Sequence, residues 1–170
     1  MKQILKQLAI CAVLSLVCVC AHAQSKAFSK LAKLENIKGV EYVHVDKTML
    51  QLAAEKGGGL PIGDNSSFNF GDAAGDIIKL IDDVMVFSSE ETETVAKLKK
   101  SAQKLLKGKN WEVLLDVNGE DGESVKICQT KEGDKITNVV FVSEDDEAQV
   151  VVINGALDFA ELLKKQAGMN

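Results

Sequence analysis

The chain has 170 residues, with 20 basic and 25 acidic side chains and a formal net charge of −5. Every basic residue is lysine. Without a basic face or the bidentate guanidinium fork, this composition argues against nucleic acid and against an anionic membrane surface as partner.

Residues 1–23 read as an address rather than as structure. Lys2 and Lys6 give a positive start, an apolar run follows from Leu8 to Cys20, and Ala21-His22-Ala23 supplies a small-x-small cleavage site. The run is short for a membrane span, and no second span follows. Val17 and Val19 precede Cys18 and Cys20, where a lipid-modified cysteine wants a small residue before it. The expectation is a signal peptide over 1–23 and one exported α+β domain over 24–170. Removal of that segment takes Cys11, Cys18 and Cys20 with it. Cys128 then remains alone, so a core and not a disulfide must stabilise the domain.

The apolar spacing of Phe28, Leu31, Ala32 and Leu34 predicts a helix from Ser25 to Asn36. Val40-Glu41-Tyr42-Val43-His44-Val45 predicts a strand, and Asp46 is placed to cap a short helix through Met49, Leu50, Leu52 and Ala53. Lys56-Gly57-Gly58-Gly59 breaks it and opens a long irregular loop reaching Gly71. A helix carrying Ala73, Ile77, Ile78, Leu80 and Ile81 then leads into a short strand, Val84–Phe87. Ser88 and Glu91 have capping-box spacing ahead of a helix with Val95, Leu98, Ala102 and Leu105 on one stripe, stopped by Gly108. Trp111, Val113, Leu115 and Val117 alternate with other residues and give a strand with one apolar face. Strands at 124–130 and 136–142 follow. Val150-Val151-Val152-Ile153 is apolar on both faces, as a strand well inside a sheet would be. Leu157, Phe159, Ala160, Leu162 and Leu163 close the chain as an amphipathic helix. This order predicts a two-layer α+β sandwich, with helices on one face of a mixed, mostly antiparallel sheet that ends in a four-strand meander.

No assembled catalytic motif stands out, since H-E-x-x-H, G-x-S-x-G and C-x-x-C are absent after residue 23. Asp116 to Glu123 imitates a calcium loop, but Asp121 and Ile127 stand where glycine and the bidentate glutamate belong. An Asn118-Gly119 hairpin accounts for the same residues. Ser143-Glu144-Asp145-Asp146-Glu147 reads as a solvated turn. His44, the only histidine after residue 23, cannot define a zinc site by itself. No metal and no cofactor are expected. Phe68 and Phe70, on the glycine-rich loop, are the candidate contact residues of a binding module whose partner is an envelope protein or a small ligand. The alternative is a periplasmic hydrolase or thiol-dependent enzyme using His44 or Cys128, with the two as a dyad if the fold brings them together.

The segments Phe28-x-x-Leu31-Ala32, Val40-Glu41-Tyr42-Val43-His44-Val45-x-Lys47-x-Met49-Leu50, Trp111-Glu112-Val113-Leu114-Leu115 and Gly155-Ala156-Leu157-Asp158 make the chain similar to a known family. These are the exported bacterial proteins grouped as domain of unknown function number four-two-five-two. The resemblance implies a small envelope protein of a Gram-negative bacterium, in the periplasm or at the cell surface, without an established activity or defined catalytic residues. It also implies a further alternative, an accessory role in envelope-stress signalling.

Overall fold

A computed structural model describes residues 25–55, 59–62, 66–69, 74–119 and 122–166. Helix α1 (Lys26–Leu31) starts at Ser25, whose hydroxyl accepts from the Phe28 amide at 3.0 Å. The predicted helix does not continue as one piece, because a 3-10 turn (Ala32–Asn36) takes over and tightens the chain before Gly39. Gly39 has φ of 90°, and a side chain there would collide with Thr94 and Glu91. Strand β1 (Glu41–Asp46) feeds α2 (Lys47–Glu55), and Asp46 accepts from the Met49 amide at 2.9 Å, as the capping argument expects.

The span expected to be irregular contains paired backbone. Strands β2 (Gly59–Ile62) and β3 (Ser66–Asn69) form an antiparallel hairpin apart from the main sheet. A two-stranded ribbon has free edges, where Pro61 is tolerated.

Helix α3 (Ala74–Lys79) ends before Leu80, and Ile81 already belongs to β4 (Ile81–Ser89). The strand is therefore longer than Val84–Phe87. Ile81 completes an apolar pattern that fits helix and strand equally, and pairing with β8 decides the outcome. Ser88 lies within β4, opposite Glu41, so it cannot cap the next helix, α4 (Thr92–Leu106). Ser89 does the local work: its hydroxyl accepts from the Glu91 amide and donates to the Gly39 carbonyl, each at 3.3 Å. The last four strands form the predicted meander: β5 (Glu112–Asn118), β6 (Ser124–Glu132), β7 (Lys135–Ser143) and β8 (Ala148–Gly155). Helix α5 (Phe159–Gln166) follows.

The main sheet has six strands in the order β1-β4-β8-β7-β6-β5, and every pairing is antiparallel. Strand β8 sits between β4 and β7, which explains its two apolar faces.

The α+β class and the meander agree with the sequence reading, whereas the single covered face does not. One face, called here the closed face, carries Met85, Phe87, Cys128, Val139, Phe141, Val150 and Val152 beneath α1 and α4. The opposite face carries Val84, Val86, Val151 and Ile153 beneath Leu50 of α2, Ile78 of α3 and Leu162 of α5. Helices thus lie on both faces because β4 and β8 are apolar on both and need cover twice. The cover on the second face is partial.

Candidate functional site

Cross-strand register shows where that partial cover ends. Leu115, Ile127, Val140, Val151, Val86 and Val43 stand opposite one another in a single row across all six strands. Val117, Val125, Val142 and Gln149 form the next row on the same face. Val86 and Val151 are buried in the second core. Toward β5 the burial fades: Val140, Val142, Ile127 and Val125 are half-buried, Leu115 is 40% exposed and Val117 49%. These neighbours make an uncharged, branched-aliphatic bay on β5, β6 and β7. A contiguous open apolar patch is more informative than a single exposed leucine.

The edge beside the bay is blunted. The β5–β6 register shifts between Val113 and Leu115, and Asp116 is tied to Lys126 at 2.6 Å. A bulge and charged side chains both discourage another strand from adding there.

One end of the bay is acidic. The β5–β6 and β7–β8 turns lie at the same end of the sheet, because Ser124 stands opposite Ser143 and Ser143 opposite Ala148. The turns touch, since a side chain at Gly122 would run into the Asp145 carboxylate. Glu123, Glu144, Asp145, Asp146 and Glu147 are exposed there. None of the five takes part in an ion pair among the described residues. Lys99 reaches this end but donates to the Glu144 backbone carbonyl, which leaves the carboxylate to solvent.

At the other end α5 closes the face with a polar clamp. Asp158 receives the Gln129 amide at 3.1 Å and the Lys131 ammonium at 2.6 Å, and it accepts from the Glu161 amide at 3.1 Å. Burial pushes its carboxyl up, but those donors outweigh burial and hold it below the usual carboxylate range. Asp82 behaves likewise: burial raises it, and hydrogen bonds from Lys135 and Lys47 pull it below its ordinary value.

The closed face carries the residues of the enzymatic alternative and separates them. Cys128 stands opposite Val139, then Val152, Met85 and finally His44 along one row, so four strand spacings lie between thiol and imidazole. That is roughly 19 Å of sheet. The dyad is not formed. Cys128 is fully buried beneath α4, and burial pushes its thiol up. A thiol in that state is a poor nucleophile. His44 meets Asp83 at 3.1 Å, with Tyr42 and Phe28 flanking its ring. Tyr42 stacks on Phe87 at 5.1 Å, and burial, then the nearby Glu35 and Asp83 carboxylates, raise its phenol.

Two clefts also open on the closed side. One, of about 150 Å³, runs between α1 and Trp111; the other, of about 310 Å³, is lined by Lys107, Asp116, Asn118, Ser124 and Lys126. Of the two phenylalanines, Phe68 lies in β3 opposite Leu60, and Phe70 lies outside the described residues. The alternation of β5 signalled the bay only in part: Leu115 and Val117 line it, whereas the register shift puts Val113 in the Cys128 row and Trp111 packs on the closed-face core, so the four residues do not share one apolar face.

A family profile described as a domain of unknown function, DUF4252, matches residues 34–164. Among solved structures, the crystal structure of PA94, a protein of unknown function from Pseudomonas aeruginosa, is similar at 14% identity with a TM-score of 0.27. That match covers 89% of this chain and 85% of the other. No curated protein matches the chain.

Proposed function

The chain belongs to the DUF4252 family, and from that premise we propose that it is an exported, non-enzymatic module that binds another protein. The observation that carries this reading is the uncovered apolar bay at Leu115, Val117, Val125, Ile127, Val140 and Val142. A contiguous run of open branched-aliphatic side chains beside a finished core is a surface on which a partner can dock. Export is supported by the charged start, apolar run and small-x-small site of residues 1–23. No helix among the described residues is long and apolar enough to cross a membrane.

The bay takes the place of Phe68 and Phe70 as the leading contact surface, with the phenylalanines retained as a second one. Affinity capture from an envelope extract compares the mature wild type with Leu115→Thr/Val117→Thr and with Phe68→Ser/Phe70→Ser. Threonine keeps β propensity and adds no charge, so the first pair removes apolar contact while sparing the sheet. The expected result is a partner held by the wild type and lost in the threonine pair. A partner retained by both doubles, with all three chains folded, contradicts the reading.

A further inference from the structure

We propose that the occupant of the bay is a basic amphipathic helix of the partner protein, seated on β5–β7 with its cationic residues toward the Glu123 and Glu144–Glu147 turns. This rests on the protein-binding reading above and names the chemistry of the partner.

The fold itself supplies the first argument. Elsewhere on this face the apolar rows are covered by helices, through Leu50, Ile78 and Leu162, and the bay is where such cover stops. Strands β5 to β7 span about 10 Å from outer axis to outer axis. One helix has about that diameter. A strand is the poorer fit, because the sheet edge beside the bay, at β5, is bulged and carries the Asp116–Lys126 pair.

Area argues against a second copy. Three strands by two rows of side chains offer roughly 200 Å² of flat surface. Two copies pairing bay to bay would bury only about that area on each side, against about 800 Å² for a stable dimer, whereas a helix also reaches the acidic rim. One apolar helix stripe matches the smaller figure.

Charge supplies the sign. The bay itself holds no charged side chain, while its upper rim holds five exposed carboxylates outside any ion pair among the described residues. The chain as a whole is at −5. An apolar floor with an acidic rim selects lysine- or arginine-bearing helices and repels acidic ones.

The test is calorimetric titration of the mature protein with an amphipathic helical peptide built only of leucine and lysine, beside a leucine–glutamate peptide of the same pattern. The lysine peptide is expected to bind and the glutamate peptide not to. Leu115→Thr/Val117→Thr should weaken binding about tenfold without changing charge, and Glu144→Gln/Glu147→Gln should weaken it severalfold and flatten its salt dependence. Val142→Thr, a near-isosteric change, serves if the double variant is misfolded by circular dichroism. Absence of binding, equal binding of both peptides, or indifference to these substitutions overturns the proposal. So does a wild-type dimer in sedimentation that Leu115→Thr/Val117→Thr dissolves, because a second copy would then be the occupant. A partner captured through Leu115 and Val117 while the lysine peptide fails to bind leaves the module reading standing and removes only the helix.

Discussion

The two faces of the meander are built from the same strands and the same kinds of residue, yet only one is finished. On the closed face Cys128, Val139, Phe141, Val150 and Val152 disappear beneath α1 and α4. One residue along each strand, Ile127, Val140 and Val142 point the other way and stay half-open, and Leu115 and Val117 are exposed. Side-chain chemistry does not make the difference, since valine dominates both faces. The difference is in what the chain lays over them. The closed face is cored across its width, whereas on the opposite face the core beneath Leu50, Ile78 and Leu162 stops short of β5.

The sharpest break of this comparison comes from truncating each face. Phe87 is fully buried and stacked on Tyr42, so Phe87→Ala should cost about 3–5 kcal/mol in urea unfolding. Gly155→Ala should come next, at about 2 kcal/mol or more, because a methyl there overlaps the Leu80 carbonyl where β8 meets the start of β4.

Asp82 sharpens the comparison through pH. Its folded carboxyl titrates below its unfolded value, so its contribution is present above about pH 4 and is lost as pH falls through the folded value. Asp82→Asn should cost about 1 kcal/mol near neutrality and nothing once the wild-type carboxyl is protonated. Unfolding midpoints measured from pH 7 down to pH 2 check this, and a constant gap between the two proteins would contradict it. The smallest effect belongs to the open face: Leu115→Thr/Val117→Thr should change stability by less than about 1 kcal/mol. A loss as large as that of Phe87→Ala would mean the bay is part of the core.

Much of this frame was legible in the residues. Asp46 announces a cap and makes it, β8 reads as central and is, and the turns after Asn118 and at Glu144–Glu147 separate β5 from β6 and β7 from β8. The errors share a cause: local pattern is silent about long-range cover. Ile81 suits the end of a helix as well as the start of a strand, until pairing with Gly155 decides. Ser88 has the spacing of a cap but is held in β4 by its neighbours. Phe68 sits on a paired strand where glycines and proline suggested a loop. The alternation of β5 promised one apolar face, but the register shift divides it between Trp111 and Val113 on the closed side and Leu115 and Val117 on the other, and only the positions of α2, α3 and α5 reveal that nothing among the described residues covers the latter pair.

The most direct measurement is methyl NMR of residues 24–170 during titration with the leucine–lysine peptide, because valine, leucine and isoleucine methyls report on both faces at once. The account predicts shifts concentrated at Leu115, Val117, Val125, Ile127, Val140 and Val142, with Val139, Val150 and Val152 little changed. Shifts centred on the closed-face valines, or spread evenly over both sets, would contradict it.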